Sequence, residues 1–329
     1  LKKKRSLTGI QPSGNIHLGN YLGAIKPAIS AQSECECLYF IADLHAFTST
    51  KNPSLLRSST YDVIATWIAL GFDYQKHILY RQSDIPEVTE FAWYLSCCTG
   101  MGLLEKSHAY KDALANGKDA NHGLFAYPVL MAADIIMYDV DFVPVGKDQK
   151  QHVEMARDMA GSFNAAYGRE VLHLPQPVIQ EQVMTVPGLD GRKMSKSYGN
   201  EIALFLSEKE LRKKVLSLKT DSTALEDPKV LKGSLLGDLF ALFASEEQYR
   251  DLEERLSRGG LGWGHAKDEL FQRIDEEIRA PRATYHQIRE DTESLEKIML
   301  EGSEKARVIG LKVLDRVRDV VGLRPRRAR

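Results

Sequence analysis

The first half of the chain alternates short β-rich apolar runs with amphipathic stretches. Arg5–Ile10 reads as a strand, followed by a Gly/Pro/Ser turn and a helix from about Leu18. Cys37–Asp43 is a second apolar, aromatic run, and Ser54–Gly71 has helical spacing with a glycine suited to the position after a helix end. His77–Arg81 reads as a short strand, Pro86–Cys98 as a helix with proline in its first turn, Asp141–Val145 as a strand and Asp148–Ala166 as a helix. Pro128 is expected to start another helix, and Met131, Asp134 and Tyr138 then share one of its faces. Repeated β-α-β order predicts a parallel sheet with helices on both faces.

Beyond Ser197 the pattern becomes helical. Ser207-Glu208-Lys209-Glu210 and Ser245-Glu246-Glu247-Gln248 both fit a capping box, Gly259–Gly264 reads as a turn, and Glu293–Val321 is amphipathic and charged. Pro175–Gly191 is loop with one short strand, and Gly100 and Gly102 mark a break between helices. The expected organisation is an α/β domain over residues 1–200 and a smaller all-α domain over 201–329. A final helix (about 303–321) can pack back on the first domain.

Composition narrows this picture. With 43% hydrophobic and 27% charged residues among 329, the chain is ordinary for a globular protein and too apolar for wholesale disorder. The longest apolar run, near Val63–Phe72, is too short to span a bilayer. No apolar stretch follows the basic Lys2–Arg5, so a secretory signal is not expected. Cys35, Cys37, Cys97 and Cys98 form neither a disulfide framework nor a metal-site spacing, and a reduced, cytoplasmic chain is the expectation. Trp67, Trp93 and the Cys97-Cys98 pair read as core packing. The formal charge is −1, yet both ends are basic: without Lys2, Lys3, Lys4, Arg5, Arg324, Arg326, Arg327 and Arg329 it becomes −9. Such ends can touch a polyanion, or simply be solvated.

Two segments carry chemistry. The first β-α turn runs Gly9-Ile10-Gln11-Pro12-Ser13-Gly14 and continues to His17-Leu18-Gly19-Asn20. Small residues admit a close anion, a helix start offers free N–H groups, and His17 and Asn20 can point to one side of the first turn. A Gly-rich turn can equally be structural. The second segment is Lys193-Met194-Ser195-Lys196-Ser197, preceded by Gly188, Asp190 and Gly191. Two lysines and two hydroxyls in a loop can clamp a polyphosphate and stabilise a leaving pyrophosphate. Asp134 is a carboxylate inside the apolar run Val129–Met137, where burial without a partner is costly. It either accepts a hydrogen bond from a ligand or caps or ion-pairs elsewhere. His45 follows the apolar run Cys37–Asp43, at the strand end where open α/β sheets bind ligands.

Together the two segments resemble the HIGH and KMSKS signatures of class I aminoacyl-tRNA synthetases, in the expected order and about 175 residues apart. Gly9–Gly14, Gly19-Asn20-Tyr21, Tyr127–Ile135 and Val143–Gln149 are similar to bacterial tryptophanyl-tRNA synthetases, and the resemblance covers essentially the whole chain. It implies a Rossmann-like catalytic domain, with an insertion at about 82–130 forming a homodimer interface, and a helical domain that binds tRNA through its anticodon part. It implies two-step aminoacylation: L-tryptophan and ATP with Mg²⁺ give tryptophanyl-adenylate and pyrophosphate, and tryptophan then passes to tRNA(Trp). The catalytic residues implied are His17, Asn20, Lys193 and Lys196. The ATP contacts implied are Gln11, Pro12, Ser13, Gly19, Asn20, Gly146, Lys147, Asp148, Val183, Lys193, Met194, Ser195, Lys196 and Ser197. For tryptophan, Asp134 would accept the indole N–H, Met131 would pack on the ring, Gln149 and Tyr127 would hold the amino-acid end, and His45 would lie nearby. No metal ligand from the protein is implied. Tyr198-Gly199-Asn200 after KMSKS departs from relatives that carry an acid there. A tyrosyl-tRNA synthetase, or a non-catalytic paralogue that binds tRNA or protein, are the alternatives.

Overall fold

The computed structural model of the chain describes residues 3–14, 16–115, 117, 121–145, 150–179 and 186–323. By compactness the chain divides into two units. Leu1–Gly14, Ala28–Gln182 and Asp291–Arg329 form the first; Asn15–Pro27 and Val183–Glu290 form the second.

The first unit is built on five parallel strands: β1 (Arg5–Ile10), β2 (Glu36–Ile41), β3 (Ile78–Arg81), β4 (Phe142–Val145) and β5 (Gln176–Ile179), in the order β3-β2-β1-β4-β5. β1 and β2 pair along their whole length, from Arg5↔Glu36 to Ile10↔Ile41, and β1 meets β4 at Ser6↔Phe142. The chain leaves β1 outward to β3 and returns on the other side at β4. The C-terminal ends of β1 and β4 therefore flank the switch point where doubly wound sheets bind ligands. β2 is buried along nearly its whole length, as expected of a parallel strand covered on both faces. One continuous core joins Leu7, Leu38, Tyr80 and Val143 of the strands to Phe91, Ala132, Met159 and Phe163 of three helices, Glu87–Cys97, His122–Ile136 and Lys150–Ala166.

Three readings of the sequence need correction here. Pro128 does not start its helix. The helix begins at His122, where the Asn121 side chain accepts from Leu124 N–H, and Pro128 lies inside it. The apolar pattern around this proline outweighs the local preference for a first-turn position. Trp93 is not core: it is 67% exposed on the outer face of Glu87–Cys97, whose inner face is Val88, Phe91 and Leu95. Cys97 is likewise exposed, and Cys98 only half-buried.

The helix Thr292–Val320 packs on β3 and on the helices Pro53–Ala69 and Glu87–Cys97, all within the first unit. The close approach needs a residue without a side chain. A Cβ on Gly302 would lie 1.8 Å from the Leu79 carbonyl oxygen of β3. Around it, Arg81 donates to Glu296 at 2.8 Å, Arg318 to Glu90 at 2.7 Å, and Arg307 pairs with Glu87.

In the second unit, Trp263–Glu290 packs against Glu208–Leu216 and Leu235–Phe240, burying Leu211, Val215, Leu236, Leu239, Leu270 and Ile274. Both capping boxes form, Ser207 with Glu210 and Ser245 with Gln248. The division does not follow a single boundary near residue 200. Asn15–Pro27 joins the helical residues because Leu18 N–H donates to Ile202 O and Leu204 N–H to Ile16 O, both at 2.9 Å. Asp291–Arg329 joins the sheet because its helix packs on β3.

Candidate active site

In the first unit, the segments after β2 and β3 and the helix His122–Ile136 bring polar groups together. Asp134 is 1% exposed. Its Oδ2 accepts from Gln82 Nε2 at 2.7 Å and lies 2.9 Å from His45 Nε2. Burial pushes the Asp134 carboxyl above the usual carboxylate range, while the His45 and Gln82 contacts pull it back. A buried acceptor held between two donors suits a ligand N–H better than a surface ion pair. Met131 lies one helical turn from Asp134 and packs half-buried on the core. Tyr127 meets His45 edge to face, with centroids 6.2 Å apart, and its hydroxyl is 2.7 Å from His152 Nε2. His45, Tyr127 and Leu130 line an open cavity of about 570 Å³, together with Phe47, Lys51 and Asn121–Gly123. That volume lies within the range of small-molecule sites. Of the turn after β1, Gln11 and Ser13 are exposed and Pro12 is buried, with Ser13 N–H donating to Gln11 O at 2.9 Å.

In the second unit, His17 caps the turn Leu18–Asn20. Its Nδ1 accepts from Asn20 N–H and Asn20 Oδ1 accepts from His17 N–H, both at 3.2 Å. The His17 imidazole is lowered to about 4, by burial first and then by the Lys196 charge, against the opposing pull of Glu201. It is therefore neutral near pH 7. Since Nδ1 accepts, the ring proton sits on Nε2, which can donate to a phosphate oxygen.

The lysine segment belongs to a hairpin: Met194 N–H donates to Val186 O at 2.8 Å and Gly188 N–H to Arg192 O at 2.7 Å. Met194 is buried and its sulfur accepts from Gly19 N–H at 3.3 Å, which joins the two motifs directly. A Cβ on Gly19 would meet the His17 ring at 3.0 Å and Met194 Cβ at 3.4 Å, so any side chain there would press on both. Lys193, Lys196 and Ser197 are exposed, and the Ser195 and Ser197 hydroxyls lie 2.8 Å apart. Partial desolvation lowers the Lys196 ammonium. Exposed cations and hydroxyls on a hairpin beside a neutral histidine donor form a set that can bind and neutralise a polyphosphate.

His17, Gly19, Asn20 and Lys193–Ser197 thus gather in one unit, and His45, Tyr127, Met131 and Asp134 in the other. Gly146, Lys147, Asp148, Gln149 and Val183 lie outside the described residues, as do Lys2 and the C-terminal basic residues. Among the described residues no cluster of His, Cys, Asp or Glu could hold a metal ion. Sequence reasoning missed Gln82, which holds Asp134, and Asn200. Asn200 is 3% exposed; its amide accepts from Ser195 N–H at 2.8 Å and donates to Asp190 Oδ1 at 2.6 Å and Lys193 O at 3.2 Å. A signal for Gln82 was present, because it directly follows β3, and His45 lies shortly after the neighbouring β2.

The chain is similar to known proteins over nearly its whole length. The profile described as tRNA synthetases class I (W and Y) matches residues 2–278. The tryptophan–tRNA ligase of Fusobacterium nucleatum is 45% identical over 97% of this chain and 98% of its own length. That of Xanthomonas axonopodis is 48% identical over 97% of this chain and 76% of its own. Among solved structures, Campylobacter jejuni tryptophanyl-tRNA synthetase complexed with ADP and tryptophan superimposes with a TM-score of 0.92, at 45% identity, over 97% of this chain and all of that one. The Mycoplasma pneumoniae enzyme gives 0.80 at 29% identity, over 98% of each chain. An Archaeoglobus fulgidus tyrosyl-tRNA synthetase, at 19% identity and 0.63, shares the fold. The chain belongs to the class I tRNA synthetases for tryptophan and tyrosine, among the bacterial tryptophanyl-tRNA synthetases.

Proposed function

We propose that the chain is a tryptophan–tRNA ligase that activates L-tryptophan with ATP and transfers it to tRNA(Trp). The observation that carries this reading is the buried Asp134 carboxylate, one turn from Met131 and beside His45. An indole N–H is a donor with no acceptor of its own, and a buried carboxylate is the complement it needs. A side chain without that donor leaves one oxygen of the carboxylate without its ligand partner and is disfavoured. Tyr127 and Gln149 attend the amino-acid end, and His45 lies near the substrate against Asp134. The names of relatives at 45–48% identity support the same substrate.

In the activation step a tryptophan carboxylate oxygen bonds to the α-phosphorus of ATP and the bridging bond to the β-phosphate breaks. Pyrophosphate leaves and the adenylate forms. No general base is required. His17 Nε2–H, Asn20, Lys193 and Lys196 stabilise charge on the phosphates, Ser195 and Ser197 add hydroxyl donors, and Met194 seats the loop on Gly19. Gln11, Pro12, Ser13, Gly146, Lys147, Asp148 and Val183 attend the nucleotide. Mg²⁺ carried in with ATP would neutralise phosphate charge, with no protein ligand assigned to it. The terminal ribose hydroxyl of tRNA then attacks the carbonyl carbon, and AMP leaves.

Residues 201–290 would engage the anticodon part of tRNA. A second copy of the chain would cover the segment 82–130, where Trp93, Met101 and Leu114 are 67%, 62% and 55% exposed. No described helix is long and apolar enough to cross a membrane, and translation in the cytoplasm is the setting we propose. The test is amino-acid-dependent ATP–pyrophosphate exchange across the proteinogenic amino acids. Exchange with tryptophan alone is expected. Exchange with tyrosine would overturn the specificity, and none with any amino acid would overturn the activity.

A further inference from the structure

One side chain outside every motif of the chain holds the Asp134 carboxylate. Gln82 follows β3 and is 1% exposed. Its Oε1 accepts from Leu44 N–H at 3.1 Å and its Nε2 donates to Asp134 Oδ2 at 2.7 Å. The first bond fixes the second: with the amide oxygen on a backbone donor, only the NH₂ end can meet the carboxylate. His45 Nε2 approaches the same Oδ2 at 2.9 Å. Both of these bonds fall on Oδ2, and neither on Oδ1. Behind Gln82, Asp43 Oδ1 accepts from Leu44 N–H at 3.1 Å and Ser83 N–H at 3.0 Å, and Asp43 Oδ2 accepts from the Ser83 hydroxyl. The turns after β2 and β3 are thus stitched together, and Gln82 has little freedom to move.

We infer that Gln82 is a positioning residue for amino-acid selection, fixing Asp134 through Oδ2 so that Oδ1 is left to accept the donor of the bound side chain. The inference rests on the reading of Asp134 as the indole acceptor. A carboxylate turns easily about its last torsion, and a buried one with a single neighbour would sample several orientations. Clamping it in advance removes that ordering cost from binding. Gln82 touches no substrate in this scheme and acts only through Asp134.

The test compares Gln82→Met and Asp134→Ala with the unaltered chain in pyrophosphate exchange, using tryptophan and its benzothiophene analogue, in which sulfur replaces the N–H. For Gln82→Met the KM for tryptophan is expected to rise about tenfold, the loss typical of one hydrogen bond to a charged group, with the KM for ATP within about twofold. The preference for tryptophan over the analogue should fall by about the same tenfold. A merely structural loosening would weaken both amino acids alike and leave the preference intact. A preference retained in Gln82→Met but collapsed in Asp134→Ala would overturn the role of Gln82 and leave the acceptor reading standing. A preference retained in Asp134→Ala would overturn that reading itself. Gln82→Glu keeps the acceptor for Leu44 N–H but sets a second carboxylate against Asp134. It carries the same expectation should Gln82→Met not fold.

Discussion

Replacing Gly302 with alanine adds one methyl group where the helix Thr292–Val320 meets β3. In an open helix interior this change is favourable by about 1 kcal/mol. Here the new Cβ would lie 1.8 Å from the Leu79 carbonyl oxygen and 2.7 Å from its carbon. Comfortable contact needs roughly 3.5 Å, so the helix must withdraw by roughly 1.7 Å. The obstacle is backbone, which cannot rotate aside as a side chain could. Withdrawal loosens the packing of Met299, Ala306 and Leu314, all buried on this helix, and strains the Arg81–Glu296 pair. Overpacking of this kind costs about 1–3 kcal/mol, and an immovable neighbour places it at the upper end. After the propensity gain, a net loss of about 2 kcal/mol is expected. Gly161, in the helix Lys150–Ala166, is the control, because a Cβ there meets nothing within 4 Å. Gly161→Ala should be neutral or stabilising by up to about 1 kcal/mol. Urea unfolding followed by circular dichroism measures both. If Gly302→Ala matches Gly161→Ala within about 0.5 kcal/mol, the helix does not lie against the β3 backbone at Gly302.

Lys196→Ala should slow adenylate formation on the order of 10²–10³-fold in a pre-steady-state assay, and an unchanged rate would remove the lysine from the phosphate site. Asn200→Ala frees Ser195 N–H and Asp190 together, so the KM for ATP should rise roughly tenfold with tryptophan affinity unaltered, as read by exchange at varied concentrations of each substrate. His17, lowered to about 4 from 6.5, takes up its proton in the unfolded chain before the folded one. Its contribution to stability is present above pH 6.5 and lost as pH falls toward 4, so His17→Gln should show a shallower decline than the unaltered chain between about pH 7 and about pH 5 in urea unfolding. Parallel declines would mean that the imidazole is not buried beside Lys196.

The sheet was legible because its strands are short apolar runs bounded by turn residues. Arg5–Ile10 reads with its observed limits, and β2, β3 and β4 within a residue or two. The capping boxes at Ser207 and Ser245 were legible for a related reason: both partners lie within one turn and need nothing from elsewhere. Legibility fails where a residue's setting depends on distant chain. Pro128 obeys a helix that begins six residues earlier, and Trp93 faces outward because Val88, Phe91 and Leu95 take the inner face. The candidate site divides the same way. His17 and Asn20 cap one another across three positions, so their spacing foretells a local turn. Asp134 needs His45, 89 positions away, and Gln82, 52 positions away, and no periodicity connects those numbers. What connects them is topology. Parallel neighbours β2 and β3 end on the same edge of the sheet, and the segments that follow them, the short helix Asp43–Ala46 with His45 after β2 and Gln82 directly after β3, are delivered to the helix bearing Asp134. The rule that ligands gather at strand C-termini singled out His45 from its place after β2. Applied with equal weight to β3 it leads to Gln82, so the missing step was strand adjacency, which the chain encodes only through the register of its apolar runs.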